Sequence, residues 1–213
     1  LQRLRAVAFD AEAARLLRSG GKSTLDLLRR KSSEPQDAPD AVVAPGTDDE
    51  VSQVLRLCAQ QRIAVVPFGG GTSVVGGVDP DRGRFGAVVS LDLRRFDALI
   101  SLDDISGEAV LGAGVTGPAA ERLLGEHGFS LGHFPQSFEF ATIGGFAATR
   151  SSGPGRLRAS SHAVSTSSSM SSTSTTPSCR KAALLTAAEP DIAAVCDIAA
   201  FAPNIFHVAS PEI

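Results

Sequence analysis

"VAPGTDDEVSQVLRLCAQQRIAVVPFGGGTSVVGG", residues 43–77, decides how this chain is read. A short apolar run ends at Pro45 and is followed by the polar, acidic start Thr47, Asp48, Asp49 and Glu50. Val51, Val54, Leu55 and Cys58 then recur at helical spacing, and Thr47 with Glu50 three residues on marks a capped helix start. "IAVVPF" (63–68) is a buried strand that Pro67 and the glycines bring to an end. With "AVVAP" (41–45) in front, about twenty residues separate two apolar strands, which predicts a parallel pair joined by a right-handed crossover.

The glycines after the second strand set the chemical question. Consecutive glycines let successive N–H groups turn to one side, and the absence of Cβ lets an anion approach closely. Thr72 and Ser73 add hydroxyls. A tight glycine turn without any ligand is the alternative. The dinucleotide fingerprint GxGxxG, started at Gly69-x-Gly71, fails: position 74 is Val, no acidic residue follows at the required spacing, and "TSVVGGVDPD" is poor helix material. "GGKST" (20–24) ends like a Walker phosphate loop, but Leu16 stands where that motif needs glycine. It also follows "AARLLR", which has helical rather than strand spacing. It reads as a break between two helical stretches within 11–30, restarted by Ser23 and Asp26 as a capping-box-like pair.

Downstream, "GAVVSLDL" (86–93), "DALISLD" (97–103) and "EAVLGAGVT" (108–116) read as short strands between polar turns. "GPAAERLLGEHG" (117–128) is a short helix with Pro118 in its first turn and Gly128 at its end. "FSLGHFP" (129–135) is strand-like, and Thr142-Ile143-Gly144-Gly145 reads as a second close-approach turn. A βαβ start followed by antiparallel strands predicts an α+β fold.

Composition shifts divide the chain into a helical lead-in and polar linker (1–40), a patterned domain (41–156) and an atypical tail (157–213). From 165 to 178, twelve of fourteen residues are Ser or Thr, too little apolar surface to offset the entropy of ordering. Disorder is expected there, and a shifted reading frame near 153–157 would explain the abrupt change. "AEPDIAAVCDIAAFAPNIF" (188–206) has the makings of one helix with no partner strand. The chain starts at Leu1 and its single methionine is Met170, so a truncated piece of a longer product is expected.

A net charge of −3, with no basic block, gives no electrostatic footprint for nucleic acid. No run approaches the roughly 18 apolar residues of a membrane span, and no signal peptide is evident. Cys58, Cys179 and Cys196 are odd in number and far apart, which speaks for reduced thiols in a cytoplasmic compartment and against a disulfide framework or zinc site.

The quoted stretch, with its Pro-x-Gly-Gly-Gly-Thr-Ser loop, resembles the start of the FAD-binding domain of the vanillyl-alcohol oxidase/p-cresol methylhydroxylase (PCMH-type) superfamily. "GHFPQSFEFATIGGFAATRSSG" (132–153) resembles the second flavin-contacting region of that superfamily. The combination of "PFGGGTS", "PQSFEFATIGG" and "TRSSG" is similar to the alkylglycerone-phosphate synthase branch. Glycolate oxidase and D-lactate dehydrogenase relatives typically carry Gly-x-Gly-Thr in the first loop and an Asn-rich segment in place of the third. The resemblance covers residues 1–156, most tightly 41–156.

The resemblance implies a PCMH-type domain with FAD as cofactor. Pro67, Phe68, Gly69, Gly70, Gly71, Thr72 and Ser73 would cradle the diphosphate. Gln136, Ser137, Phe138, Glu139, Phe140, Ala141 and Thr142 would line the cofactor further along, and Thr149, Arg150, Ser151 and Ser152 would complete the contacts. Capping of a turn is the alternative role for Ser137 and Thr142, and plain surface exposure that for Arg150. Some superfamily members attach FAD through a histidine in or beside the first loop; residues 65–77 contain none, so the cofactor would be dissociable. His133 would lie near the flavin, in proton transfer or in a structural role, and His127 would meet a helix C-terminus.

The implied reaction exchanges acyl for alkyl on dihydroxyacetone phosphate through flavin N5, a step of ether-lipid synthesis without net redox change. The alternatives are an FAD-linked oxidase or dehydrogenase of a 2-hydroxy acid or alcohol, and an inactive FAD-binding remnant. The segments that carry the family's substrate pocket do not follow residue 156, so catalytic residues and substrate stay unassigned, as does the oligomeric state.

Overall fold

The structure, a computed structural model, describes residues 8–9, 11–32, 37–151 and 204–207. In chain order its elements are β1 (Ala8–Phe9), α1 (Glu12–Leu16), α2 (Thr24–Lys31), β2 (Ala41–Val43), α3 (Asp48–Gln61) and β3 (Ile63–Phe68). They continue with β4 (Ala87–Asp92), β5 (Leu99–Asp103), β6 (Glu108–Leu111), α4 (Gly117–Gly125), α5 (Ile143–Thr149) and β7 (Asn204–His207).

The αβ lead-in forms as its residues dictate. The Thr47 hydroxyl accepts the Glu50 N–H at 3.2 Å, and the Glu50 carboxylate reaches back to the Gly46 N–H. Val51, Val54, Leu55 and Cys58 are the buried residues of α3. They pack on Val43, Val65, Val89 and Leu91, so that one face of the first sheet is closed by this helix. Each such side chain contributes about 1.5–3 kcal/mol on full burial.

The first sheet has the order β1-β2-β4-β3. β2 and β3 are both parallel to β4 and so run the same way, as the crossover pattern predicted, with β4 lying between them. β4 was expected among the antiparallel strands. Its five consecutive buried residues explain its central place: a strand covered on both faces carries an almost unbroken apolar run. Asp40 pins the register, donating its N–H to Val88 O at 2.8 Å and accepting the Val88 N–H on its carboxylate at 2.8 Å.

The second sheet, β5-β6-β7, is antiparallel as expected. β7 includes residues 204–206, which the sequence placed in a helix; they pair instead along the other edge of β6. The rest of the tail, including the Ser/Thr-rich run, lies outside the described residues. A second core joins this sheet to α4 and α5 through Leu111, Val115, Leu124, Ile143 and Phe146.

Two further expectations change. Residues 129–135 form no strand; Gly132 takes φ +65° and its N–H donates to the Glu121 carboxylate at 2.9 Å. The Thr142–Gly145 turn is the start of α5, with Thr142 as N-cap and its hydroxyl accepting the Gly145 N–H. Among the described residues no helix is long and apolar enough to cross a membrane.

Candidate cofactor-binding site

In a parallel sheet, ligands gather at the carboxyl ends of the strands. Here β3 and β4 end side by side, with Phe68 in register with Asp92, and the glycine loop leaves from that edge. Gly71 has φ +64°, and a Cβ there would press on the Phe68 ring at 2.7 Å. Glycine at 71 therefore meets both a conformational and a packing demand.

The structure brings together the two segments that the sequence assigned to the cofactor. A Cβ on Gly69 would strike the Thr142 hydroxyl, and one on Gly70 would strike the Phe140 carbonyl and lie 2.9 Å from Ala141 Cα. On its far side the 141–144 segment is bonded to the second sheet's exit: Ile143 N–H donates to Val115 O at 2.8 Å, and Gly144 N–H to Ala113 O at 2.9 Å. The glycine loop is thus packed backbone to backbone on a second, separately anchored segment.

Donors at this junction are left over. Among the described residues no acceptor pairs with the amides of Gly70, Gly71 or Thr72. The Ser73 hydroxyl accepts from Gly77 N–H at 3.0 Å, which folds the loop back on itself. Adjacent amides without protein acceptors are the chemistry of an anion cradle. The residues present therefore fit a phosphate-bearing cofactor.

Behind the loop sits a charged group that the sequence analysis missed. Asp92, 3% exposed, accepts from Arg18 at 2.7 Å and 3.1 Å and from Arg94 at 2.6 Å and 2.9 Å. Burial alone would raise its pKa; the hydrogen bonds from Arg94 and Arg18 outweigh that and hold it below the usual carboxylate range. Both guanidinium groups also lie against the Phe68 ring, 5.9 Å and 5.8 Å from its centroid. Two arginines on one carboxylate leave a surplus positive charge beside the loop. The only signal in the sequence was charge at the end of a buried strand, and Arg18 is far from it in the chain.

The other predicted residues divide by position. Gln136, Glu139 and Phe140 are exposed on the turn before α5. Phe138 faces the second core, against Gly117 and, at 4.9 Å between ring centroids, Phe134. Thr142 is buried at 2% exposure and caps α5, the alternative role weighed for it. Thr149 donates its hydroxyl hydrogen to Gly145 O at 2.8 Å, and Arg150 is exposed at the helix end with φ 48°. Ser151 N–H closes the helix on Phe146 O. Ser152 lies outside the described residues.

His133 is buried at 4% exposure, edge-on to Phe146 with ring centroids 5.0 Å apart. Neither ring nitrogen has a hydrogen-bond partner among the described residues, and burial pulls its pKa down. His127 is exposed just beyond α4.

Comparison with known proteins gives this geometry its context. Residues 39–169 match the model of a family described as FAD binding domain. The chain is 39% identical over 145 residues to the alkyldihydroxyacetonephosphate synthase of Dictyostelium discoideum, covering 68% of this chain and 23% of that protein. It is 40% identical over 148 residues to the Trypanosoma brucei brucei protein of the same name, covering 69% and 24%. Glycolate oxidase subunit GlcD of Bacillus subtilis is 33% identical over 110 residues, covering 52% and 23%. A solved alkyldihydroxyacetonephosphate synthase superposes with a TM-score of 0.67 at 37% identity, over 70% of this chain and 28% of that one. The chain spans about a quarter of the length of the curated synthases it matches. Glycine loop, paired segment and family match converge: the chain belongs to the FAD binding domain family, with the PCMH-type fold and FAD as its cofactor.

Proposed function

We propose that residues 67–73 hold the FAD diphosphate, that residues 136–142 run alongside the cofactor, and that residues 149–152 complete the contacts. The observation that carries this reading is the row of amides at Gly70, Gly71 and Thr72 with no acceptor among the described residues. Amides that no protein acceptor claims are free to donate to phosphate oxygens without breaking a bond within the fold. Phe68 and the Arg18–Asp92–Arg94 group behind the loop keep it in shape before the cofactor arrives. With no histidine in residues 65–77, that loop offers FAD no covalent anchor of this kind.

In the whole protein, the domain serves an alkylglycerone-phosphate synthase-type exchange of acyl for alkyl on dihydroxyacetone phosphate. FAD held by residues 67–73 would supply N5 as the reactive atom for that exchange. This chain's part is to bind the cofactor and orient it. The longer and more similar match to the synthases favours this over an FAD-linked oxidase or dehydrogenase, for which the GlcD likeness speaks.

Titration of the purified chain with FAD, followed by flavin fluorescence and by the visible band retained after desalting, tests the binding. Retained flavin is the expected result; a folded chain that ignores FAD would sink the reading. Conversion of acyl-dihydroxyacetone phosphate and a fatty alcohol by the whole protein, set against flavin reduction by 2-hydroxy acids, separates the two chemistries. Binding without either turnover would identify an inactive remnant.

A further inference from the structure

"GGKST" has neither the spacing nor the strand of a Walker loop, yet the fold lays it on the cofactor loop. Gly21 stands so close to Ser73 that a Cβ would strike the Ser73 carbonyl oxygen. The Lys22 N–H donates to that oxygen at 2.7 Å. The Lys22 ammonium lies 3.4 Å from the centroid of the Phe140 ring. Ser73 ends the glycine loop, and the Phe140 carbonyl abuts Gly70. One residue from the N-terminal lead-in is therefore tied to both halves of the cradle.

Two of the neighbouring charges are committed elsewhere, whereas the Asp79 carboxylate beside Gly20 keeps one buried oxygen without a partner among the described residues. Arg18 is engaged by Asp92. Asp26 accepts the Ser23 N–H at 3.0 Å and the Ser23 hydroxyl at 2.7 Å, closing the capping box of α2. Among the described residues no carboxylate pairs with the Lys22 ammonium. An aromatic face attracts an ammonium without neutralising it. The ring thus holds a full positive charge next to amides that lack acceptors.

We propose that Lys22 is a cofactor-positioning residue, which sets its ammonium on the FAD diphosphate and clasps the N-terminal lead-in over the glycine loop. The proposal rests on the FAD reading above. It assigns part of the cofactor site to a segment that lies outside the stretch matched by the family model, residues 39–169.

The test uses the full 213-residue chain. FAD affinity is measured by fluorescence titration at several salt concentrations for wild type, Lys22→Met, Lys22→Gln, Lys22→Arg and Phe140→Leu. Lys22→Met and Lys22→Gln should each weaken binding about 10- to 100-fold, as expected for loss of a charge-assisted contact, and flatten its salt dependence. Lys22→Arg keeps the charge and should keep the salt dependence, as should Phe140→Leu, which loosens the side chain only. Wild-type affinity in both neutral variants overturns the proposal, and so does weaker binding with an unchanged salt slope, which would mark a purely structural role. Thermal melts of the FAD-free proteins identify any variant that fails to fold, and either neutral variant suffices for the comparison. Failure of the folded wild type to bind FAD would instead defeat the FAD reading, a result distinguishable from failure of the variants alone.

Discussion

Substitution of Gly70 by alanine tests whether the contact between the two cofactor segments shapes the site. The new Cβ would meet the Phe140 carbonyl oxygen, with the carbonyl carbon at 2.7 Å and Ala141 Cα at 2.9 Å. All three are backbone atoms, so no side chain can swing away. The Phe140 carbonyl oxygen would have to retreat by about 1.5 Å to regain ordinary contact. That movement pulls on the Gly117 N–H to Ala141 O bond at 3.3 Å and on the Ile143 N–H to Val115 O bond at 2.8 Å. Forced overpacking costs about 1–3 kcal/mol, and a weakened hydrogen bond adds up to about 1 kcal/mol. Gly70→Ala should therefore lose about 2–4 kcal/mol in urea unfolding without FAD, and its FAD affinity should fall by more than about tenfold. Gly125→Ala is the matched control: nothing lies within 4 Å of its Cβ site, at the last residue of α4. Removing glycine there should stabilise by up to about 0.5–1 kcal/mol and leave FAD binding alone. If Gly70→Ala matched wild type in both unfolding midpoint and FAD affinity, the packing of the glycine loop on residues 140–141 would be refuted.

Three other outcomes follow from the charged and buried groups. Asp92→Asn should destabilise by about 2–3 kcal/mol, since it leaves the half-buried Arg18 without its anion, and a double-mutant cycle with Arg18→Met should show coupling rather than additivity. His133 has a lowered pKa in the folded state, so the folded chain binds fewer protons than the unfolded one. Its contribution is fully present above the unfolded value of about 6.5 and is lost as pH falls below that. The stability of wild type relative to His133→Leu, read from urea midpoints, should therefore fall between pH 7.5 and pH 5, and a relative stability that rises on acidification would contradict the sign. Burial raises the Cys58 thiol to about 11, so a thiol reagent at pH 8 should modify Cys58 only after unfolding, as read by peptide mass spectrometry.

Much of the local structure was written in short stretches. Thr47 and Glu50 announce the start of α3, the spacing of Val51, Val54, Leu55 and Cys58 announces its buried face, and Ser23 with Asp26 announces α2. Each signal lies within a few residues, where capping bonds and side-chain periodicity act directly on the backbone. α5 was hidden because Gly144 and Gly145 oppose helix formation locally, by about 1 kcal/mol each. Tertiary packing overrides that cost: a Cβ at Gly144 would lie 2.9 Å from Ala113, so glycine is what lets the helix start dock there. The insertion of β4 between β2 and β3 was equally hidden, because crossover length fixes strand direction but not which later strand fills the gap.

The sequence by itself determined α2, α3 and the strands that flank α3, the α+β class and the character of the "PFGGGTS" loop, including its lack of a histidine anchor. Only the tertiary structure decided what that loop touches. Gly69 on Thr142, Gly70 on Phe140, and Ser73 on Gly21 and Lys22 join three stretches far apart in the chain. Backbone-to-backbone contacts of this kind leave no periodic trace in sequence. They depend on sheet order and on glycine's missing side chain, and so the Walker-like "GGKST" carried the right residue, Lys22, for a reason its own spacing does not express.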